Sequence, residues 1–193
     1  MSKVINGVDV TSLMQTMDAV KADPTVAKFR FRLHNQWLEG GHNRSTMNEF
    51  YGAGQMQQRA KPFEMHVDEP IVLLGRDQAP NPAEYLLTAL AACVTSSLVY
   101  HAAARGIAIE EVESEVEGDA DVRGFLGLDE NVRKGFQNIR ITLAIHADVS
   151  DEQLQELASL GTGFSPVFDS VTNGVPVMVR TERMKSTQAE DAA

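Results

Sequence analysis

The chain has 193 residues, 43% hydrophobic and 23% charged, which suits one domain with a sizeable core and is ordinary for a soluble globular protein. A formal net charge of −10 speaks against a phosphate-binding face, because nucleic-acid binders concentrate Lys and Arg, and it disfavours an anionic membrane surface. The single cysteine, Cys93, excludes an intramolecular disulfide framework, and the run Met1 to Asp9 lacks a basic then apolar leader pattern. Residence in the cytoplasm, where a lone thiol stays reduced, is the expectation.

Val10, Leu13, Met14, Met17 and Val20 recur at helical spacing, with Asp9 or Thr11 as N-cap and Asp23-Pro24 as a stop. They predict a short amphipathic helix in an N-terminal extension over 1–25. Partial alternation across 26–38 predicts a strand, Gly40-Gly41-His42-Asn43 a turn, and 44–51 a returning strand. Phe63, Met65 and Val67 alternate with Glu64, His66 and Asp68, a third strand ended by Pro70.

The stretch 75–82 reads as a loop whose Asn81-Pro82 opens a helix, proline being suited to the first turn. That helix is predicted over 82–105, with Gly106 placed for a left-handed cap. From Tyr85 to Ala104 there is no formal charge, over about the length that crosses a bilayer. However, the segment carries Thr88, Cys93, Thr95, Ser96, Ser97 and His101, is rich in alanine, and has no flanking basic cluster. It reads as a helix buried within a soluble protein, with no membrane partner.

Downstream, 109–121 predicts a strand with Val112, Ser114 and Val116 on one face and a solvated row of Glu110, Glu111, Glu113, Glu115 and Glu117. The polar stretch 119–135 predicts a loop, and Ile139, Ile141, Leu143 and Ile145 mark the clearest strand. Ser150, with Glu152 or Gln153, opens a capped helix carrying Leu154, Leu157 and Leu160. A short helix is predicted over 166–170, a last strand at Val175, Val177 and Val179, and a disordered tail over 185–193. The order implies an α+β fold in a main domain over 26–184, with no repeat and no second domain.

Cys93 is the residue to weigh for chemistry. At about 100° per residue, Ser97 and Tyr100 share its face, and Glu84 lies near the same side further back. A free cysteine ordinarily packs as a small hydrophobe. A reactive one needs a cation or a helix N-terminus to favour the thiolate. Cys93 is too deep in its helix for the terminal dipole, so a cation must come from elsewhere in the fold or from a partner subunit. No Gly-rich phosphate loop precedes a helix, and His34, His42, His66, His101 and His146 lack metal-ligand spacing, so neither cofactor nor metal is expected. Gly163-Phe164-Ser165-Pro166-Val167 lacks the second glycine of a nucleophile elbow, which leaves Ser165 as a helix N-cap.

Asn81-Pro82-Ala83-Glu84-Tyr85-Leu86-Leu87-Thr88-Ala89-Leu90-Ala91-Ala92-Cys93 resembles the motif of the OsmC / organic hydroperoxide resistance family, where an alanine-rich helix ends at the peroxidatic cysteine. Ser165-Pro166-Val167 resembles that family's Cys-Pro-Val segment, and Gly174-Val175-Pro176-Val177 the strand after it. The resemblance implies antiparallel sheets around a long buried central helix, in an intertwined homodimer with the cysteine near the subunit interface. It also implies reduction of organic hydroperoxides: the thiolate attacks the peroxide, a second cysteine captures the sulfenic acid, and a dithiol resets the pair.

Three departures qualify that expectation. Ser165 stands where the second cysteine belongs. Ala83 follows Asn81-Pro82 where the hydroperoxide-resistance branch has glutamate, and Glu84 sits one place later, turned by about 100°. After Gly40-Gly41 the chain has His42, then Arg44, where that branch uses an arginine. Two readings follow. One is a one-cysteine thiol peroxidase, with His42 or Arg44 stabilising the Cys93 thiolate and an external thiol as reductant. The other is a non-catalytic relative binding a small apolar ligand at the dimer interface.

Overall fold

The computed structural model describes residues 3–184. Strands β1 (Val4–Ile5) and β2 (Val8–Asp9) form a small hairpin, and helix α1 (Val10–Ala22) follows directly. Asp9 is the N-cap, its Oδ1 accepting from the Ser12 amide at 3.1 Å. Asn6 pins this extension to the chain leaving the central helix. Its Nδ2 donates to the Ile107 carbonyl at 3.0 Å, and its Oδ1 accepts from the Ile109 amide at 2.8 Å.

The predicted strand over 26–38 is divided. Asp23 caps a 3-10 turn at Pro24–Ala27, so extended structure begins only with β3 (Arg30–Phe31) and resumes in β4 (His34–Glu39). Both pieces pair antiparallel with β5 (His42–Gly52), and β6 (Gln55–Val67) pairs with its other edge. Gly40, at φ 52°, makes the tight turn, and His42 already belongs to the strand, opposite Glu39. The third strand is longer than its sequence signal. Its first residues, from Gln55 to Arg59, are polar except for Met56 and carry no apolar alternation to reveal them.

Helix α2 (Pro82–Ala104) follows its predicted limits closely. Asn81 accepts from the Glu84 amide at 2.8 Å while Glu84 Oε2 accepts from the Asn81 amide at 2.8 Å, a complete capping box. Gly106, at φ 78°, closes the C-terminal end. Leu90, Val94, Leu98 and Ala102 form a buried stripe at four-residue spacing. They pack against α4 (Asp151–Gly163), β7 (Glu111–Asp119) and α5 (Pro166–Asn173).

Strand β7 pairs with β8 (Asn138–His146), turning Val112 and Val116 inward and Glu111, Glu113, Glu115 and Glu117 to solvent. Leu98, Ala102, Leu157 and Leu160 centre the core, with Ile109, Val112, Leu143 and Ile145 packed around them. The stretch expected as loop contains a one-turn helix, α3 (Val122–Phe125), capped by Asp121. Its four residues are too few to show a period.

Two expectations need amendment. The closing strand at Val175, Val177 and Val179 does not form: the segment is extended, with Val177 80% and Val179 85% exposed. Its alternation announces a strand, but a strand also needs a neighbour's backbone, and among the described residues the segment has none. The central helix is buried along one side only, and Leu86, Ala89, Ala92, Ser96 and Tyr100 lie exposed on another. By length and composition α2 is also a helix able to cross a bilayer. Its packed stripe is that of a core element. The tail over 185–193 lies outside the described residues.

Candidate functional site

Cys93 sits at the margin of the buried stripe of α2 and is partly exposed. Val94 beside it is fully buried, while Ala92 on its other side is open. One turn on, the Ser97 hydroxyl donates to the Phe164 carbonyl at 3.2 Å, and a further turn on, the His101 ring stacks on the Phe164 ring with centroids 4.0 Å apart. Cys93, Ser97 and His101 thus form a ribbon at four-residue spacing, and the junction of α4 and α5 covers its far end.

Ser165 follows Phe164 and is 2% exposed. Its Oγ accepts from the Phe168 amide at 3.1 Å as N-cap of α5. The hydroxyl therefore has a structural task. Burial lowers the pKa of His101, and the Arg105 guanidinium lowers it further. Arg105 Nη1 lies 3.4 Å from His101 Nδ1 and donates to the His101 carbonyl at 3.1 Å.

The other sequence candidates gather at the N-terminal end of α2. His42 Nε2 and His66 Nδ1 share a proton across 2.9 Å, one ring donating to the other. The Tyr85 hydroxyl donates to the His66 carbonyl at 2.7 Å, docking the helix on β6. Arg44 Nη2 donates to Gln36 Oε1 at 2.8 Å, and Glu84 is held in its capping box. Tyr85 precedes Cys93 by eight residues, about 12 Å along the axis. Among the described residues no hydrogen bond or ion pair joins Cys93 to His42, Arg44, Glu84 or Ser165.

Asp68 is the residue that sequence inspection passes over. It is 1% exposed. Its Oδ1 accepts from the Glu69 amide at 2.8 Å, and its Oδ2 from the Arg76 and Gln78 amides at 3.2 Å each. Burial pulls its pKa upward, but the three amides and the nearby His42 outweigh it, so the carboxyl titrates below its ordinary value. Glu69 next to it is raised, first by burial and then by the Asp68 and Glu84 carboxylates. Arg76 grips Glu39 through both guanidinium nitrogens, the longer contact being 3.0 Å. In sequence Pro70 and the stretch 75–82 announced this loop, but nothing singled out Asp68 within it. Among the described residues no group of three or more His, Cys, Asp or Glu side chains is arranged to hold a metal.

These features define an α+β protein in which a long apolar helix carries one half-open thiol, with a buried serine capping the short helix that packs against it. The family model for OsmC-like protein matches residues 75–180, and the chain belongs to that family. A solved OsmC-like protein from Mycoplasma pneumoniae shares the fold at 17% identity and a TM-score of 0.57, covering 74% of this chain and 86% of its own. An organic hydroperoxide resistance protein OsmC from Legionella pneumophila does so at 16% identity and a TM-score of 0.50, over 75% of this chain and 91% of its own. An OsmC-like protein of unknown function from Vibrio cholerae aligns at 12% identity and a TM-score of 0.51, over 74% and 94%. No curated protein matches the sequence.

Proposed function

We propose that this chain is a one-cysteine thiol peroxidase that reduces small organic hydroperoxides through Cys93 and works as a homodimer in the cytoplasm. The observation that carries the reading is the setting of Cys93: a half-open thiol on the alanine-rich helix, inside the stretch matched by the family model. The open side of α2, with Ala89, Ala92 and Tyr100 exposed, supports a second copy covering it. The unpartnered 174–184 segment supports the same arrangement. In such a dimer the cation for the thiolate comes from the partner's copy of the His42–Arg44 strand, exchanging its contact with His66 or Gln36 for the thiolate, since within one chain neither side chain is bonded to Cys93 among the described residues.

The Cys93 thiolate attacks the outer peroxide oxygen, the O–O bond breaks, and the departing alkoxide takes a proton to leave as alcohol. Ser165 cannot capture the resulting sulfenic acid. A small thiol condenses with it, releasing water and forming a mixed disulfide. A second thiol then attacks that disulfide, freeing Cys93 and leaving the oxidised thiol dimer. The test is Cys93 alkylation rate against pH, together with trapping of sulfenic acid after stoichiometric cumene hydroperoxide. A thiol titrating well below ~8.5 and a peroxide-dependent adduct lost in Cys93→Ser are expected. An ordinary thiol with no adduct, in a protein shown to be dimeric, sinks the reading. It would leave the second reading, a non-catalytic relative that binds an apolar ligand.

A further inference from the structure

We propose that the groove bounded by α2, α5 and the segment 133–139 is a binding site for a monocarboxylic acid with an apolar body, and that Arg133 holds the carboxylate. This goes beyond the thiol reading and does not depend on it. The groove has a volume of about 550 Å³, within the range of small-molecule sites. Leu86, Phe136, Ile139 and Val171 supply its apolar surface, Ser170 and Thr172 part of its polar rim, and no Asp or Glu lines it.

Arg133 is unlike most arginines of this chain. Arg32, Arg76, Arg105, Arg123 and Arg140 each face a carboxylate, and Arg44 is held by Gln36. Arg133 forms no ion pair or side-chain hydrogen bond among the described residues, yet it borders a concave, partly apolar surface. An unengaged guanidinium in a protein of net charge −10 is a ready partner for an external anion. Its planar fork matches a carboxylate with two parallel N–H···O bonds. The lining is mixed, with Gln137 and Asn138 beside the apolar side chains, but it holds one cation, which matches a single negative charge better than a phosphate dianion. Asp169, next to the rim on α5, is already engaged by Asn173 Nδ2 at 2.6 Å.

The groove also points along α2. Leu86 and Cys93 are seven residues apart, so they share one side of the helix and lie about 10 Å apart along its axis. A ligand anchored at Arg133 with its body on Leu86 extends toward the thiol.

Calorimetric titration of the full chain with decanoate, and separately with 1-decanol, tests this. One saturable decanoate site per chain is expected. Affinity should fall about tenfold or more in Arg133→Gln, as expected for loss of a charge-assisted pair, with the melting temperature unchanged. A similar drop is expected when the alcohol replaces the acid. Arg133→Lys should recover part of the affinity, Val171→Trp should block the groove, and Cys93→Ser should bind as the parent does. Undiminished decanoate binding by Arg133→Gln, equal affinity for acid and alcohol, no saturable binding, or loss of binding in Cys93→Ser would each overturn the proposal. Peroxidase failure alone would leave it standing.

Discussion

The Ser97 hydroxyl reaches the Phe164 carbonyl across 3.2 Å, and this contact ties the helix bearing Cys93 to the residue before the Ser165 cap. Water can compete for it, so Ser97→Ala should cost only ~0.5–1 kcal/mol, the low end for a hydrogen bond. The informative effect is local. Release of Phe164 loosens the start of α5, and Cys93 should alkylate faster in the variant than in the parent at equal pH. Chemical denaturation and thiol-labelling rates check this, and an unaltered rate refutes the coupling.

Asp68 organises the loop between β6 and α2, and its acid titration should be visible in stability. Its folded pKa lies below the unfolded value of 3.8, so the stabilisation is complete above that pH. It is lost as pH falls through the lower folded value, when the protonated carboxyl no longer suits three N–H donors. Asp68→Asn turns an amide NH2 toward those donors, so it should lower the melting temperature near neutrality. It should also flatten the acid limb below about pH 4. Retention of the parent's acid limb by the variant would show that other carboxylates carry it.

What could be read from the sequence depended on period and on caps. Two helices were marked by their starts, α2 by Asn81-Pro82, because proline suits the first turn, and α4 by Ser150 with Gln153, because a capping box has a fixed three-residue spacing; the box between Asn81 and Glu84 was not read. Strand β8 was legible because Ile139, Ile141, Leu143 and Ile145 alternate without interruption. The start of β6 was not, since Gln55, Gln57 and Gln58 are polar on both faces of an exposed strand. Val175, Val177 and Val179 show the reverse failure: the period is there, but hydrogen-bond partners for a strand are a tertiary matter.

At the site, the sequence named Cys93 and Ser165 and gave Ser165 its capping role, which the structure bears out. It placed His42 and Arg44 on the first hairpin, but could not show that each is engaged there by a neighbour, His66 and Gln36. His101 and Asp68 were visible as polar residues, but their roles were not. Their roles arise from Phe164, Arg76 and Gln78, which are distant along the chain or joined to them only by backbone amides.

His101 offers a second pH handle, of opposite charge type. Burial first, then Arg105, sets its folded pKa below 6.5, so the unfolded chain binds a proton more readily as pH falls. Its neutral form contributes fully above pH 6.5, and the contribution declines as pH drops toward the folded value. His101→Phe retains an aromatic ring against Phe164 and removes the titration. The difference in melting temperature between variant and parent should therefore move in the variant's favour between about pH 6.5 and 5. A difference independent of pH would assign His101 a purely packing role.

Two glycines of α4 separate close approach from helix propensity. A Cβ on Gly161 would lie 3.1 Å from both the Val94 carbonyl oxygen and Val94 Cγ1, and 3.3 Å from Leu98 Cβ. One on Gly163 meets nothing within 4 Å. Alanine at either place gains up to ~1 kcal/mol of helix propensity over glycine, less at Gly163 because it ends the helix. At Gly161 the gain is opposed by separation of α4 from α2 at a fully buried contact with Val94 and Leu98, where backbone atoms cannot give way as a flexible side chain would. Gly163→Ala should be neutral to slightly stabilising. Gly161→Ala should lose ~1–3 kcal/mol, the usual cost of overpacking, and should shift the environment of Cys93 one residue from Val94. Urea denaturation of both variants decides it. A Gly161→Ala protein as stable as the parent would mean that α4 and α2 have room to separate, and that the helix carrying the thiol is held less tightly than its buried stripe implies.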